Sequence, residues 1–97
     1  MNAEFDPAAE QELIESIRRY LIEAGPLHAV EFDNEVKRVV SLLLTLPKIG
    51  TPGARGIRSI PLRRYPFSLQ YRIEGNVLRV LAVAHHSRRP GYWSTRA

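Results

Sequence analysis

The sequence predicts an α+β domain in which an antiparallel helical hairpin packs on one face of a small sheet. Three observations predict it: two apolar stripes at helical spacing separated by Gly25-Pro26, a change to two-residue alternation after Gly56, and an almost unbroken apolar run over residues 77–84. With 97 residues, the chain is expected to form one domain, because two cores of half this size would each be marginal.

Residues 2–5 read as a short strand. Asp6-Pro7 then opens a helix: Asp accepts one of the free backbone N–H groups, and Pro sits where its missing donor costs nothing. Leu13, Ile14, Ile17, Tyr20, Leu21 and Ala24 form one stripe. Gly25-Pro26 is expected to stop this helix, glycine as a left-handed cap and proline by preventing continuation. A second helix is expected from Leu27 or His28 to Leu46. Its Phe32, Val36, Val39, Leu43 and Leu46 face one way, while Glu31, Asp33, Glu35, Lys37 and Arg38 mostly face water. Pro47 closes it, and the short link makes the pair antiparallel.

Residues 47–56 carry two prolines and three glycines and read as a loop. Residues 58–62 are short and extended. Residues 67–73 alternate Phe67, Leu69, Tyr71 and Ile73 with Ser68, Gln70 and Arg72, the pattern of a half-buried strand. Gly75-Asn76 supplies a tight turn. Residues 77–84, apolar except for Arg79, suit a central strand covered on both faces. The expected order is β-α-α-β-β-β, the last three strands forming a meander. Residues 85–97 follow no period, yet hold two histidines, three arginines, Tyr92 and the only tryptophan, Trp93. Function is often carried on such a tail when a rigid strand presents it.

Charge divides the chain. Residues 1–47 hold four basic groups (Arg18, Arg19, Lys37, Arg38) against nine acids, a net of −5; residues 48–97 hold ten against Glu74 alone, a net of +9. Folding erases such polarity only in part, so a positive surface is expected. Its partners would be nucleic acid or an acidic protein segment; the alternative is a solvated face that serves solubility.

Other classes are excluded. No cysteine means no disulfide and no thiolate metal site. No stretch approaches the roughly 20 apolar residues of a membrane span, and the N-terminus lacks the features of a secretory signal, so a cytoplasmic protein without a membrane partner is expected. His85 and His86 are strand neighbours pointing to opposite faces, with no carboxylate close in sequence, so neither a metal site nor a cofactor is expected. Residues 50–56 lack the Lys-Ser/Thr ending of a phosphate loop and carry a proline.

Several segments resemble one family. Phe5-Asp6-Pro7-Ala8-Ala9, followed by Glu12-Leu13, is similar to the opening of RelE/ParE toxins. Arg63-Arg64-Tyr65-Pro66-Phe67 running on to Tyr71-Arg72 resembles that family's third-strand motif. The run Val80 to His86, followed by Arg88-Arg89-Pro90-Gly91-Tyr92-Trp93, looks like its last strand and tail. The resemblance covers nearly the whole chain and implies the toxin of a type II toxin–antitoxin pair, silenced by an antitoxin; the charge split adds the expectation that the antitoxin covers the basic half.

Two modes of action follow from the resemblance. ParE-like members disable DNA gyrase; RelE-like members cut messenger RNA in the translating ribosome. The catalytic positions of the RNA-cutting members fall near Ser59 and Pro61, on Ser68, on His86 and on Tyr92, and only the tyrosine is retained. A gyrase inhibitor is therefore the expectation. The alternative is a metal-independent endoribonuclease rebuilt around His86, Tyr92, Arg88 and Arg89. Arg63, Arg64, His85, Trp93 and Arg96 are the candidates for contact with nucleic acid or another target. The structural alternatives are that the histidines only finish the strand and that Tyr92-Trp93 pack back on the sheet. A non-toxic RNA- or ribosome-binding module is a third reading.

Overall fold

Strand β1 (Asn2–Phe5) turns directly into helix α1 (Pro7–Ala24). Asp6 makes the turn, its Oδ1 accepting the Ala8 N–H at 2.9 Å, with Pro7 in the first helical turn. Helix α2 (Pro26–Thr45) follows α1 with Gly25 alone between them. Strands β2 (Thr51–Pro52), β3 (Arg58–Pro61), β4 (Phe67–Glu74) and β5 (Val77–His85) complete the order, with a 3-10 turn at Ala54–Gly56. The computed structural model describes residues 1–96. Among them, no helix is long and apolar enough to cross a membrane.

The architecture is the expected α+β arrangement, with more sheet than the sequence announced. The strand order is β1-β5-β4-β3-β2. The later strands are antiparallel neighbours, while β1 pairs parallel with β5, Asn2 opposite Val77 and Phe5 opposite Val80. The sheet is therefore mixed. The segment expected to be only a loop contributes β2, which pairs Thr51 with Ser59 and Pro52 with Arg58. At a sheet edge, a proline forfeits no ladder bond, which is why this strand tolerates one.

Gly25 serves both helices. Its φ of 92° is open to glycine, but its ψ of 172° is extended, so it is not the left-handed helical cap that was expected. Pro26 starts α2 instead of merely blocking α1. The apolar stripe of α1 is also narrower than expected. Ala9 is fully buried and Leu13, Ile17 and Tyr20 pack on the core, but Ile14 and Leu21 stay 41% and 49% exposed. Helix α1 packs mainly against α2 and β5, which leaves the flank bearing Ile14 and Leu21 uncovered. In α2, Phe32, Val36, Val39 and Leu43 are buried; Leu46 lies past the end of the helix and is exposed.

Strand β5 is interior, between β1 and β4, and buried along most of its length. Its register with β4 shifts between Gln70 and Tyr71: Gln70 faces Ala82, Tyr71 faces Val80, and Leu81 is the extra residue of a bulge. Around it the core is aromatic. Phe32 lies 5.1 Å from Tyr20, 5.3 Å from Tyr65 and 4.9 Å from Phe67, ring centre to ring centre. Phe67 in turn meets the His85 ring edge to face at 4.9 Å.

Candidate functional site

Strand β1 covers β5 only as far as Val80, whose carbonyl accepts the Asp6 N–H. Beyond that point the backbone of β5 would present bare polar groups, and side chains take over. Glu12 of α1 accepts the Val83 N–H on Oε1 at 3.0 Å, and the Leu81 carbonyl accepts from Arg96 Nη1 at 3.0 Å. The tail folds back to reach this edge. Tyr92 donates its hydroxyl to Glu12 Oε2 at 2.7 Å, and Arg96 forks onto both Glu12 oxygens at 2.8 and 3.1 Å. Arg88 lies over the Tyr92 ring at 4.1 Å and Trp93 packs edge-on to it at 5.2 Å. Arg55 adds a tie to the Ser94 carbonyl at 3.2 Å.

These contacts enclose one side of a cavity of about 410 Å3 between α1 and the tail. Tyr20, Phe67 and Val83 supply apolar wall; His85, Arg88 and Tyr92 line it with Glu12, Glu15, Arg19 and Glu23. The fold thus brings together His85, Arg88, Tyr92 and Arg96 of the expected residues. The His85 Nδ1 accepts the Ser87 N–H at 3.0 Å, which places the proton of the neutral ring on Nε2. His86 points elsewhere, its Nε2 lying 2.8 Å from Ser68 Oγ. Arg89 is exposed and Trp93 half-buried.

Arg63 and Arg64 stand apart, lining a second hollow with Arg38 and Tyr65. The Arg63 N–H donates to Glu35 Oε2 at 2.7 Å, anchoring the β3–β4 turn to α2. The Arg38 guanidinium, with that N–H behind it, holds the Glu35 carboxyl below the ordinary carboxylate range. Arg64, at the tip, takes a left-handed conformation with φ 67°, a strain of roughly 1 kcal/mol for a residue with a Cβ. The residue is exposed.

Residues 3–90 match the family described as "ParE toxin of type II toxin-antitoxin system, parDE". The chain belongs to the ParE toxin family. Its fold is also that of a solved chain titled "Chromosomal ParDE TA system from P. aeruginosa", with a TM-score of 0.76 at 23% identity over 88% of this chain and 95% of that one. No curated protein matches it.

In this ParE-family chain several late arginines are occupied internally. Arg58 donates to the carbonyls of Lys48 and Gly50, Arg72 pairs with Glu74, Arg79 reaches Asp6 at 3.6 Å, and Arg96 pairs with Glu12. Arg63, Arg64, Arg88 and Arg89 are exposed. The residue that sequence reasoning missed is Glu12, noted only as part of a motif. A signal for it existed: it lies three residues after Ala9 and eight before Tyr20, on the inward side of α1, where an acid needs a partner.

Burial and the hydrogen bond to Glu12 push the Tyr92 phenol from an ordinary 10.0 up to about 12, against the opposing pull of Arg88 and Arg96. A raised phenol favours the protonated form in the folded state. Its contribution to stability is complete below pH 10 and is lost as pH rises from there through about 12. An absorbance titration of phenolate should therefore contain a step near pH 12 that vanishes in Tyr92→Phe. If that substitution instead removes a step at the ordinary value, the contact with Glu12 is not made in solution.

Proposed function

We propose that this chain is the toxin of a type II pair, held silent by a cognate antitoxin, and that it arrests growth by disabling DNA gyrase without cutting RNA. One observation carries the choice of target. Where RNA-cutting relatives keep their catalytic groups, this chain has Ser59, Pro61, Ser68 and His86. Metal-free cleavage of RNA needs a base, an acid and cations around the crowded phosphate. Two hydroxyls and a proline supply no cation. The tyrosine that is retained donates to Glu12, and its phenol is displaced further from neutral pH, which makes it a poorer acid.

The antitoxin is supported by the family description and by the outward-facing Arg63, Arg64, Arg88 and Arg89, which suit an acidic segment. Purified toxin added to gyrase and relaxed plasmid should abolish supercoiling, and the antitoxin should restore it. Complete supercoiling at large molar excess of active toxin would refute the gyrase reading.

One contact favours the endoribonuclease instead. Ser68 orients the imidazole of His86, two residues before Arg88 and three before Arg89, at the end of a rigid strand. That reading requires cuts within codons of translated messages, lost in His86→Ala, and an unaffected gyrase.

A further inference from the structure

Four hydrogen bonds converge on one carboxylate of α1. Glu12 receives the Val83 N–H, the Tyr92 hydroxyl and both arms of the Arg96 guanidinium. The two oxygens of a carboxylate offer about four acceptor positions, so Glu12 is saturated. Its side chain is only 14% exposed and that of Arg96 19%, so water competes weakly for either. Among the described residues, the other side-chain ties from the tail are the bond from Arg96 to the Leu81 carbonyl, the His86–Ser68 contact where the tail begins, and an exposed bond from Arg55 to the Ser94 carbonyl.

We infer that Glu12 is a positioning residue: it latches the tail to the free edge of β5 and so holds Arg88, Arg89 and Trp93 in the posture that meets the target. This rests on the reading that the tail contacts the target, whichever target that is. A latched tail presents its cations with their conformational entropy already lost, whereas a loose tail must be ordered on each encounter. The latch also explains why β1 can stop at Phe5: the carboxylate and the guanidinium satisfy the backbone of β5 beyond it.

Glu12→Gln keeps the shape and can still accept from Val83, but it offers an amide N–H to donors and loses the ion pair. Arg96→Met opens the latch from the tail: it removes the bonds to Glu12 and to the Leu81 carbonyl but keeps the bond from the Val83 N–H to Glu12 that joins α1 to β5. Trp93 is the only tryptophan and reports the tail alone. In both variants Trp93 should become more accessible to acrylamide while the helical circular dichroism is retained. Losing two or more charge-assisted bonds should raise the expression needed for growth arrest by about tenfold or more. Growth arrest is indifferent to the target's identity, so this outcome is separable from failure of the gyrase reading, which the supercoiling assay decides. Unchanged quenching of Trp93 in Arg96→Met overturns the latch. A freed Trp93 with undiminished arrest overturns its functional role.

Discussion

Replacing Phe32 with alanine should cost about 3–5 kcal/mol, a large share of the 5–15 kcal/mol typical of a small domain. The ring is fully buried and touches both halves of the molecule: Tyr20 on the hairpin, Tyr65 in the β3–β4 turn and Phe67 at the start of β4. Truncation removes its transfer energy and leaves a hole between rings that two helices and a strand hold apart, so collapse is incomplete. For a domain of this length, the thermal midpoint should fall by at least about 12 °C. Thermal unfolding followed by circular dichroism measures it. A loss below about 1 kcal/mol would mean that the aromatic cluster is not the keystone of the core.

The second large effect is expected at Gly50. An added Cβ would lie 2.5 Å from the Tyr71 hydroxyl and 2.7 and 2.9 Å from two ring carbons. Tyr71 is fully buried and has nowhere to retreat. Its hydroxyl accepts the Gly50 N–H at 2.9 Å and donates to the Pro47 carbonyl at 2.7 Å, pinning the connection from α2 to the sheet. Gly50→Ala should therefore destabilise by about 1–3 kcal/mol from overpacking, and more if those two bonds break as well. Tyr71→Phe alone strands a buried N–H and a carbonyl, at about 1–3 kcal/mol. It should not rescue Gly50→Ala, because the ring carbons still collide. Chemical denaturation of the single and double variants measures both; rescue by Phe would place the clash on the hydroxyl alone.

Local patterns in the sequence carried most of the fold. Asp6-Pro7, Gly25-Pro26 and Pro47 mark the helix boundaries by backbone chemistry that acts within a turn, and the structure places the ends within a residue or two of them. What lay out of reach is non-local. Pairing of Asn2 with Val77 joins positions 75 residues apart, and no short-range signal marks it. Strand β2 was masked by its own proline and flanking glycines. The flank of α1 bearing Ile14 and Leu21 looked buried because periodicity reports a face and not what covers it.

The site was legible in composition and illegible in geometry. The tail was singled out for its arginines and aromatics, and His85, Arg88, Tyr92 and Arg96 do converge at the α1–tail cleft. The partner that gathers them, Glu12, is 80 residues from Tyr92 in the chain. Similarly, the split of −5 and +9 overstated the free positive charge, because Arg79 and Arg96 pair with acids of the first half. Charge counts along a chain say nothing about which ions meet after folding.

The claim that growth arrest proceeds through gyrase is tested most directly by inducing the toxin and following DNA, RNA and protein synthesis in parallel by pulse labelling. DNA synthesis should stop first, with transcripts intact. Early arrest of protein synthesis, with messages cut inside codons while replication continues, would contradict it.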